Sequence, residues 1–126
     1  MPANSTCSQT ISHVDLLATI AAALELPLPQ QAGPDSWNQL PVWLGESSIA
    51  TSERGVVAVS QNAAEFSIRQ GAWKLIQPAD GKGTVELYHL EQDLAEANDL
   101  SAAQPEKVKS LTVLLNKYKE EGRSRP

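Results

Sequence analysis

The stretch that decides the fold is FSIRQGAWKLI, residues 66–76. Apolar and polar residues alternate on both sides of Gly71, with the period of two that is typical of strands with one buried face. Gly71 stands where the chain must reverse, and the positive φ of a tight turn is easiest without a Cβ. The stretch therefore predicts two antiparallel strands, Glu65–Gln70 and Ala72–Gln77, that meet at Gly71.

Two further strands are predicted around this hairpin. Val56–Ser60 is a short apolar run that precedes it. The cluster PADGKG, residues 78–83, is a strong turn signal, and it leads to a strand over Thr84–Leu90.

A long helix is predicted to close the chain. Pro105 suits its first turn and Gly122 its end. Its apolar side chains recur at helical spacing, and we expect them to form a buried stripe: Val108, Leu111, Leu115 and Tyr118, with Leu114 alongside. Trp73 is predicted to be buried on the sheet face that meets this helix, near Leu111 and Leu115.

The N-terminal part is predicted to be helical. Ser12 and Asp15 form a helix-start signal, and an apolar helix follows from about Ser12 to Glu25, ended by Pro27 and Pro29. A shorter second helix is predicted to be capped by Asp35 or Ser36, to carry Pro41 in its first turn and to stop at Gly45.

The predicted fold class is therefore α+β. We expect a small antiparallel sheet of about four strands packed against the C-terminal helix, with the N-terminal helix added. Residues 1–11 are predicted to be a disordered segment or linker, residues 12–126 one subdomain, and residues 46–55 a loop.

Composition excludes several classes of function. The 126 residues carry a net charge of −5 with an isoelectric point near 4.9. They form no basic stripe, so we expect no nucleic-acid partner. No run approaches the eighteen or so apolar residues that a membrane helix needs, so no membrane partner is expected. The N-terminus shows no secretory signal, and a single cysteine excludes an internal disulfide framework.

Five short motifs follow one another in a distinctive order. They are VDLLATI (14–20), DSWNQLP (35–41) with LG (44–45), FSIRQGAWKLI (66–76), LYHL (87–90) with Asp93, and QPE (104–106) leading to EGRS (121–124). Each is weak alone, but the ordered set resembles the C-terminal region of bacterial arylsulfatase-like sulfatases, the sulfuric ester hydrolases of the alkaline phosphatase superfamily. The likeness runs from about Ser12 to Pro126.

The resemblance implies an active site that this stretch does not carry. Sulfatases use a formylglycine made from the Cys or Ser of a C/S-x-P-x-R motif, and they hold a calcium ion with acidic residues. Cys7 is followed by Gln9 and Ile11 where that motif needs proline and arginine, and no serine fits it. The formylglycine and calcium are expected in an upstream catalytic domain, and no cofactor is expected in this chain.

No catalytic, substrate-binding or metal-binding residue is predicted here. His13 is expected to be exposed in the first helix, and the Ser12-His13-x-Asp15 pattern is better explained as a helix start than as a catalytic triad. His89 stands where the family has aspartate, and we interpret it as structural. Asn98-Asp99 reverses the family's Asp-Asn calcium pair and is interpreted as a turn element.

Two weaker alternatives stay open, one for a pair of cationic residues and one for the tryptophans. Arg69 and Lys74 form either an anion site on neighbouring strands or an exposed cation pair that keeps the sheet soluble. Residues 58–60 (Ala-Val-Ser) stand where many relatives carry His-His-Ser near the substrate cleft. Three aromatic side chains are either core residues or a platform for a sugar or aryl group: Trp37, Trp43 and Trp73.

The predicted function is that of a sulfatase C-terminal subdomain that supports a catalytic domain and is inactive on aryl sulfates by itself. The alternative is a stand-alone non-catalytic interaction module. The missing proline after Asp93 and the altered His89 and Ala58-Val59 positions favour it. The expected partner is the upstream catalytic domain or a second copy of this chain. The parent family is often periplasmic or secreted, but the compartment of this chain is not predicted.

Overall fold

The computed structural model describes residues 4, 6–7, 9–46 and 54–125. The predicted linker 1–11 and loop 46–55 lie partly outside these residues. The chain divides into two compact units, Met1–Thr51 with Gly122–Pro126 and Ser52–Glu121. Its elements in chain order are a 3-10 turn His13–Asp15, then α1 (Leu16–Ala23), α2 (Leu40–Leu44), β1 (Gly55–Val59), β2 (Glu65–Gln70), β3 (Trp73–Pro78), β4 (Glu86–His89) and α3 (Pro105–Glu121).

The second unit is a four-stranded sheet in the order β1-β2-β3-β4, with every neighbouring pair antiparallel. The register places Ile68 opposite Leu75 and Leu75 opposite Leu87. These three side chains are fully buried against Leu111 and Leu115 of α3. The α+β class and the buried stripe of the closing helix are therefore confirmed.

The β2–β3 hairpin turns at Gly71, whose φ of 60° lies in the left-handed region. Trp73 follows it on the face that carries Leu75, and it packs against the core as predicted. Its burial is only partial, because Trp73 is the first residue of β3 and its ring stays half-buried at the end of the sheet. Its outer neighbours are His89, whose ring meets it edge-on at 4.7 Å, and the Lys107 ammonium 5.8 Å from the ring centroid.

Strand β4 is shorter than predicted. The Leu90 N–H still bonds the Ala72 carbonyl at 2.7 Å, but the N–H groups of Gln92 and Asp93 both turn back to the His89 carbonyl. The strand therefore ends at His89, and the following residues form a turn. At the other end of the sheet β1 begins at Gly55, one residue earlier than predicted.

The first unit contains α1 and α2. The Asp15 carboxylate accepts the Ser12 N–H at 2.8 Å, as expected of the helix-start signal. The helix ends before the prolines, at Glu25, which adopts a left-handed φ of 54°. The N–H groups of Glu25 and Leu26 bond the carbonyls of Ala22 and Ala21 at 3.1 and 2.9 Å, which is a Schellman ending.

Helix α2 begins later than predicted. Gln39 occupies its N-cap position, so the predicted cap at Asp35 or Ser36 was wrong. The side chains of those two residues are engaged elsewhere: Ser36 accepts the Ala18 N–H and Asp35 the Ser124 N–H, each at 2.8 Å. Pro41 lies in the first turn and Gly45 ends the helix at a φ of 78°, both as predicted.

A buried polar cluster holds the first unit together. It consists of Asp15, Thr19, Ser36 and Gln39, each at most 2% exposed. The Thr19 hydroxyl donates to the Asp15 carbonyl at 2.7 Å and accepts the Gln39 N–H at 2.9 Å, while Asp15 Oδ1 accepts the Trp37 N–H at 3.1 Å. These bonds join the start of α1 to the segment before α2.

Candidate functional site

Within the described ranges, no group of three His, Cys, Asp or Glu side chains lies close enough to hold a metal ion. Cys7 is an exposed free thiol. No helix in the described part of the chain has the length and apolar character to cross a membrane.

The two histidines lie in different settings. His13 is exposed in the 3-10 turn, as expected. His89 lies on the helix-facing side of the sheet, and its Nδ1 atom is buried with no hydrogen-bond partner among the residues that the structure describes. Its ring contacts Trp73, so the structure shows a packing role for His89 at the sheet's end.

The acidic residues after β4 shape the loop. Asp93 Oδ2 accepts the Asn98 N–H at 2.7 Å, and Asp99 Oδ1 accepts the N–H groups of Leu87 and Ser101 at 3.0 and 2.8 Å. Backbone N–H donors stabilise a carboxylate, so the bonds from Asn98 and Leu87 hold the pKa values of Asp93 and Asp99 below their usual range. The interpretation of Asn98-Asp99 as a turn element is therefore confirmed.

Arg69 and Lys74 stand directly opposite each other on β2 and β3. Lys74 Nζ contacts both carboxylate oxygens of Glu96 at 2.7 and 2.8 Å, and Arg69 Nε donates to the Gly71 carbonyl at 3.1 Å. Both side chains are half-buried rather than exposed. Because Lys74 is neutralised by a half-buried carboxylate, the pair is poorly suited to hold an anion.

A hydrogen bond on the same sheet face was missed by the sequence analysis. The Tyr88 hydroxyl donates to Glu86 Oε2 at 2.9 Å. This bond, burial and the negative charge of Glu86 together raise the pKa of Tyr88 to about 12. The i, i+2 spacing of Glu86 and Tyr88 on one strand is the sequence signal that could have revealed it.

The remaining candidates show no substrate-binding arrangement. Ala58 and Val59 lie exposed at the end of β1, and the following Ser60 N–H bonds the Glu65 carbonyl at 3.0 Å within a turn. All three tryptophans are half-buried within their own units, as expected of core-edge residues: Trp37 and Trp43 in the first, Trp73 in the second.

The clearest functional surface is one side of α1. Its four large apolar side chains, Leu16, Leu17, Ile20 and Leu24, are 46%, 50%, 51% and 62% exposed. They span about two turns, from the first residue of α1 to its C-cap Leu24, and no charged residue lies between Leu16 and Leu24. Exposed apolar surface of this kind is a candidate for contact with another protein, and we call these four residues the α1 apolar face.

Comparison with known proteins identifies the relatives of this fold. No family model matches the chain. An N-acetylgalactosamine-6-O-sulfatase from Bacteroides thetaiotaomicron is 33% identical over 121 residues, which cover 86% of this chain. A solved protein from work on glycosaminoglycan metabolism by the same organism is 30% identical over 84% of this chain, with a TM-score of 0.70. The chain is a sulfatase-related region.

Two further solved structures share the fold. Ps i-CgsB, in complex with k-i-k-neocarrahexaose, has a TM-score of 0.74 at 19% identity over 88% of this chain. BT4656, in complex with its substrate D-glucosamine-2-N,6-O-disulfate, has a TM-score of 0.65 at 21% identity over 84%. The chain spans about a quarter of each relative, 23% or 24% of their lengths. The resemblance predicted from the ordered motifs is thereby confirmed.

Proposed function

We propose that this chain serves as the C-terminal subdomain of a sulfatase and supports a catalytic domain that other residues form. The observation that carries the proposal is the match itself. It covers 86% of this chain but only 23% of the N-acetylgalactosamine-6-O-sulfatase. Most of the relative therefore lies outside the matched region, and its catalytic residues can be located there.

The α1 apolar face supplies the docking surface in this proposal. Four large apolar side chains of this helix face solvent. Docking that covers them is favoured by about 25 cal/mol for each Å² of apolar surface removed from water. The face has no charged residue within it, which suits a permanent interface rather than a transient one. Its occupant is the catalytic domain of the sulfatase.

The polar cluster gives α1 the rigidity that docking requires. The buried bonds of Asp15, Thr19 and Ser36 hold the inner side of the helix, so its outer side is presented in one orientation. A preorganised surface loses less conformational entropy when it binds. No substrate contact is assigned to this chain, whose role is to complete and stabilise the enzyme.

A chimera tests the proposal. The matching region of the Bacteroides thetaiotaomicron N-acetylgalactosamine-6-O-sulfatase is replaced by this chain, and turnover of that enzyme's own substrate is measured. We expect the chimera to retain activity. Ile20→Glu within it should lower soluble, active enzyme roughly tenfold, because a carboxylate would be buried at the interface without a partner.

Val113→Glu is the matched control, since Val113 is a 62% exposed apolar residue on α3 rather than on the α1 apolar face. It should leave the chimera's activity within about twofold, as expected for a surface substitution. A folded chimera without activity, or equal activity in the Ile20→Glu form, would contradict the docking role and favour the stand-alone interaction module.

A further inference from the structure

The first unit contains a groove of about 270 Å³ beside α1. Ala18, Ala21 and Ala22 form its helix side, and Leu26 and Leu28 of the proline-rich link add apolar surface. Its volume is near the lower end of the range for small-molecule sites, so a ligand with a short apolar chain or a single ring would fit. The small alanine side chains are what leave this space open.

The polar rim of the groove offers hydrogen-bond donors. Ser36, Asn38 and Arg125 line it. The oxygen of Ser36 already accepts the Ala18 N–H and that of Asn38 the Leu40 N–H, at 2.8 and 2.9 Å. Ser36 is only 1% exposed, so the donors that remain for a ligand are the amide hydrogens of the exposed Asn38. A rim of donors next to a guanidinium favours a ligand that carries acceptor oxygens and negative charge.

Arg125 is held in place by the chain itself. Its backbone N–H bonds the Pro34 carbonyl at 3.0 Å, and its Nη2 atom bonds the Gln30 carbonyl at 2.7 Å. Among the described residues, no carboxylate lies within ion-pair distance of its guanidinium. The groove therefore has a half-buried guanidinium that donates to one neutral carbonyl and has no described carboxylate beside it.

The groove and most of the α1 apolar face lie on different sides of the helix. With 3.6 residues per turn, Ala18 lies roughly 160° around the helix from Leu16 and Ala22 by the same angle from Ile20, while Leu17 borders the groove at about 40° from Ala21. A ligand in the groove would therefore leave Leu16 and Ile20 accessible to a protein docked on the apolar face. The inference stands independently of the proposed subdomain role.

We propose that this groove binds a small amphiphilic anion, in which a carboxylate or a sulfate ester is carried on a short apolar chain or ring. The oxyanion pairs with the Arg125 guanidinium and accepts an amide hydrogen of Asn38, while the apolar body lies against the three alanines. Both head groups present the paired oxygens that a guanidinium recognises, so the structure assigns the shared chemistry to the site.

The test is an NMR titration of the 15N-labelled full chain with hexanoate, hexyl sulfate, inorganic sulfate and hexanol. We expect saturable shifts at the amides of Ala18, Ala21 and Ala22 with both amphiphilic anions, and the tighter of the two identifies the head group. Inorganic sulfate and hexanol should each bind at least about tenfold more weakly, because inorganic sulfate lacks the apolar body and hexanol lacks the anionic head group.

Two variants separate the charge from the space. Arg125→Gln should weaken both anions by roughly tenfold or more and leave hexanol unchanged. Ala22→Leu fills the groove without changing charge and should abolish the shifts for every ligand. Lys109→Gln, which removes an exposed cation from α3, is the control for net charge and should change nothing.

Three results would overturn the proposal. Inorganic sulfate that binds as tightly as hexyl sulfate would show an adventitious anion contact. Shifts centred on the amides of Leu16 and Ile20 that persist in Arg125→Gln would show nonspecific coating of the α1 apolar face. Unchanged binding in Ala22→Leu, with the amide spectrum still dispersed, would place the ligand elsewhere.

Discussion

Gly55 shows how one missing side chain sets the approach of β1 to α3. A Cβ there would lie 2.9 Å from both Ile68 Cδ1 and Tyr118 Cε2, closer than carbon atoms tolerate. Ile68 is fully buried and cannot move aside without disturbing the core. We expect Gly55→Ala to lower the free energy of unfolding by about 1–3 kcal/mol through overpacking, measured by urea denaturation.

Ala58→Ser is the matched control for Gly55→Ala, because Ala58 is exposed on the same strand. Its effect should stay within about 0.5 kcal/mol. A loss of similar size in the two variants would show that β1 tolerates a Cβ at Gly55 and that the close approach has no energetic weight.

Tyr88 provides a pH-dependent prediction. Its hydroxyl donates to Glu86, so the phenol stays protonated until its pKa of about 12 in the folded chain, above the ordinary tyrosine value of 10.0. Because the unfolded state releases this proton first, the stability from the bond is complete below pH 10 and is lost as pH rises to about 12.

Ultraviolet titration in a Tyr118→Phe background, which leaves Tyr88 as the only tyrosine, measures this pKa directly. Glu86→Gln should shift the ionisation to lower pH, since it removes the negative charge and the strongest acceptor. Circular dichroism at each pH confirms that the chain is still folded. Ionisation of Tyr88 near the ordinary tyrosine pKa of 10.0 in folded protein would contradict the assignment.

At the scale of elements, the sequence predicted β2, β3 and α3 well. Each has one buried face, so its apolar residues recur along the sequence with the period of a strand or a helix. The end of α1 and the cap of α2 were not predictable in the same way. Glu25 adopts a left-handed φ, which a residue with a Cβ disfavours. Ser36 does not cap α2, because its hydroxyl oxygen accepts the N–H of Ala18, 18 positions away. Contacts between distant residues decide such details.

The ending of α1 yields a prediction with a built-in control. Glu25 is in the left-handed region, which costs a residue with a Cβ about 1–2 kcal/mol, whereas glycine adopts it freely. Glu25→Gly should therefore stabilise the chain by roughly 0.5–1 kcal/mol. Ala23→Gly, two residues earlier and still helical, should destabilise it by about 1 kcal/mol.

Chemical denaturation followed by circular dichroism compares the two variants. Opposite signs at positions 23 and 25 would support the Schellman ending. A loss of stability in both would mean that α1 continues through Glu25 in solution, so that the prolines rather than the left-handed residue terminate the helix.

At the scale of the whole molecule, the ordered motifs predicted the family. Each motif is weak alone, but several in the same order indicate common ancestry. They could not predict the groove. Its cation comes from Arg125, which is held by Gln30, 95 positions away, and no spacing rule connects the two. The α1 apolar face lies between these cases: its composition was visible in the sequence, but only the fold shows which leucines stay in solvent.

The exposed side of α1 leads to a prediction for the isolated chain. Leu16, Ile20 and Leu24 lie about one turn apart on the same side of the helix, and several hundred Å² of such surface at about 25 cal/mol per Å² favours association. We expect a two-fold dimer, formed by pairing of the α1 helices or by their exchange across the link 27–34. Sedimentation equilibrium at micromolar concentration should show reversible dimers, and Ile20→Glu should shift them to monomers while Val113→Glu does not. If the chain is strictly monomeric, the α1 apolar face is stable in water without a partner. That result would argue against the docking that the subdomain role assigns to α1.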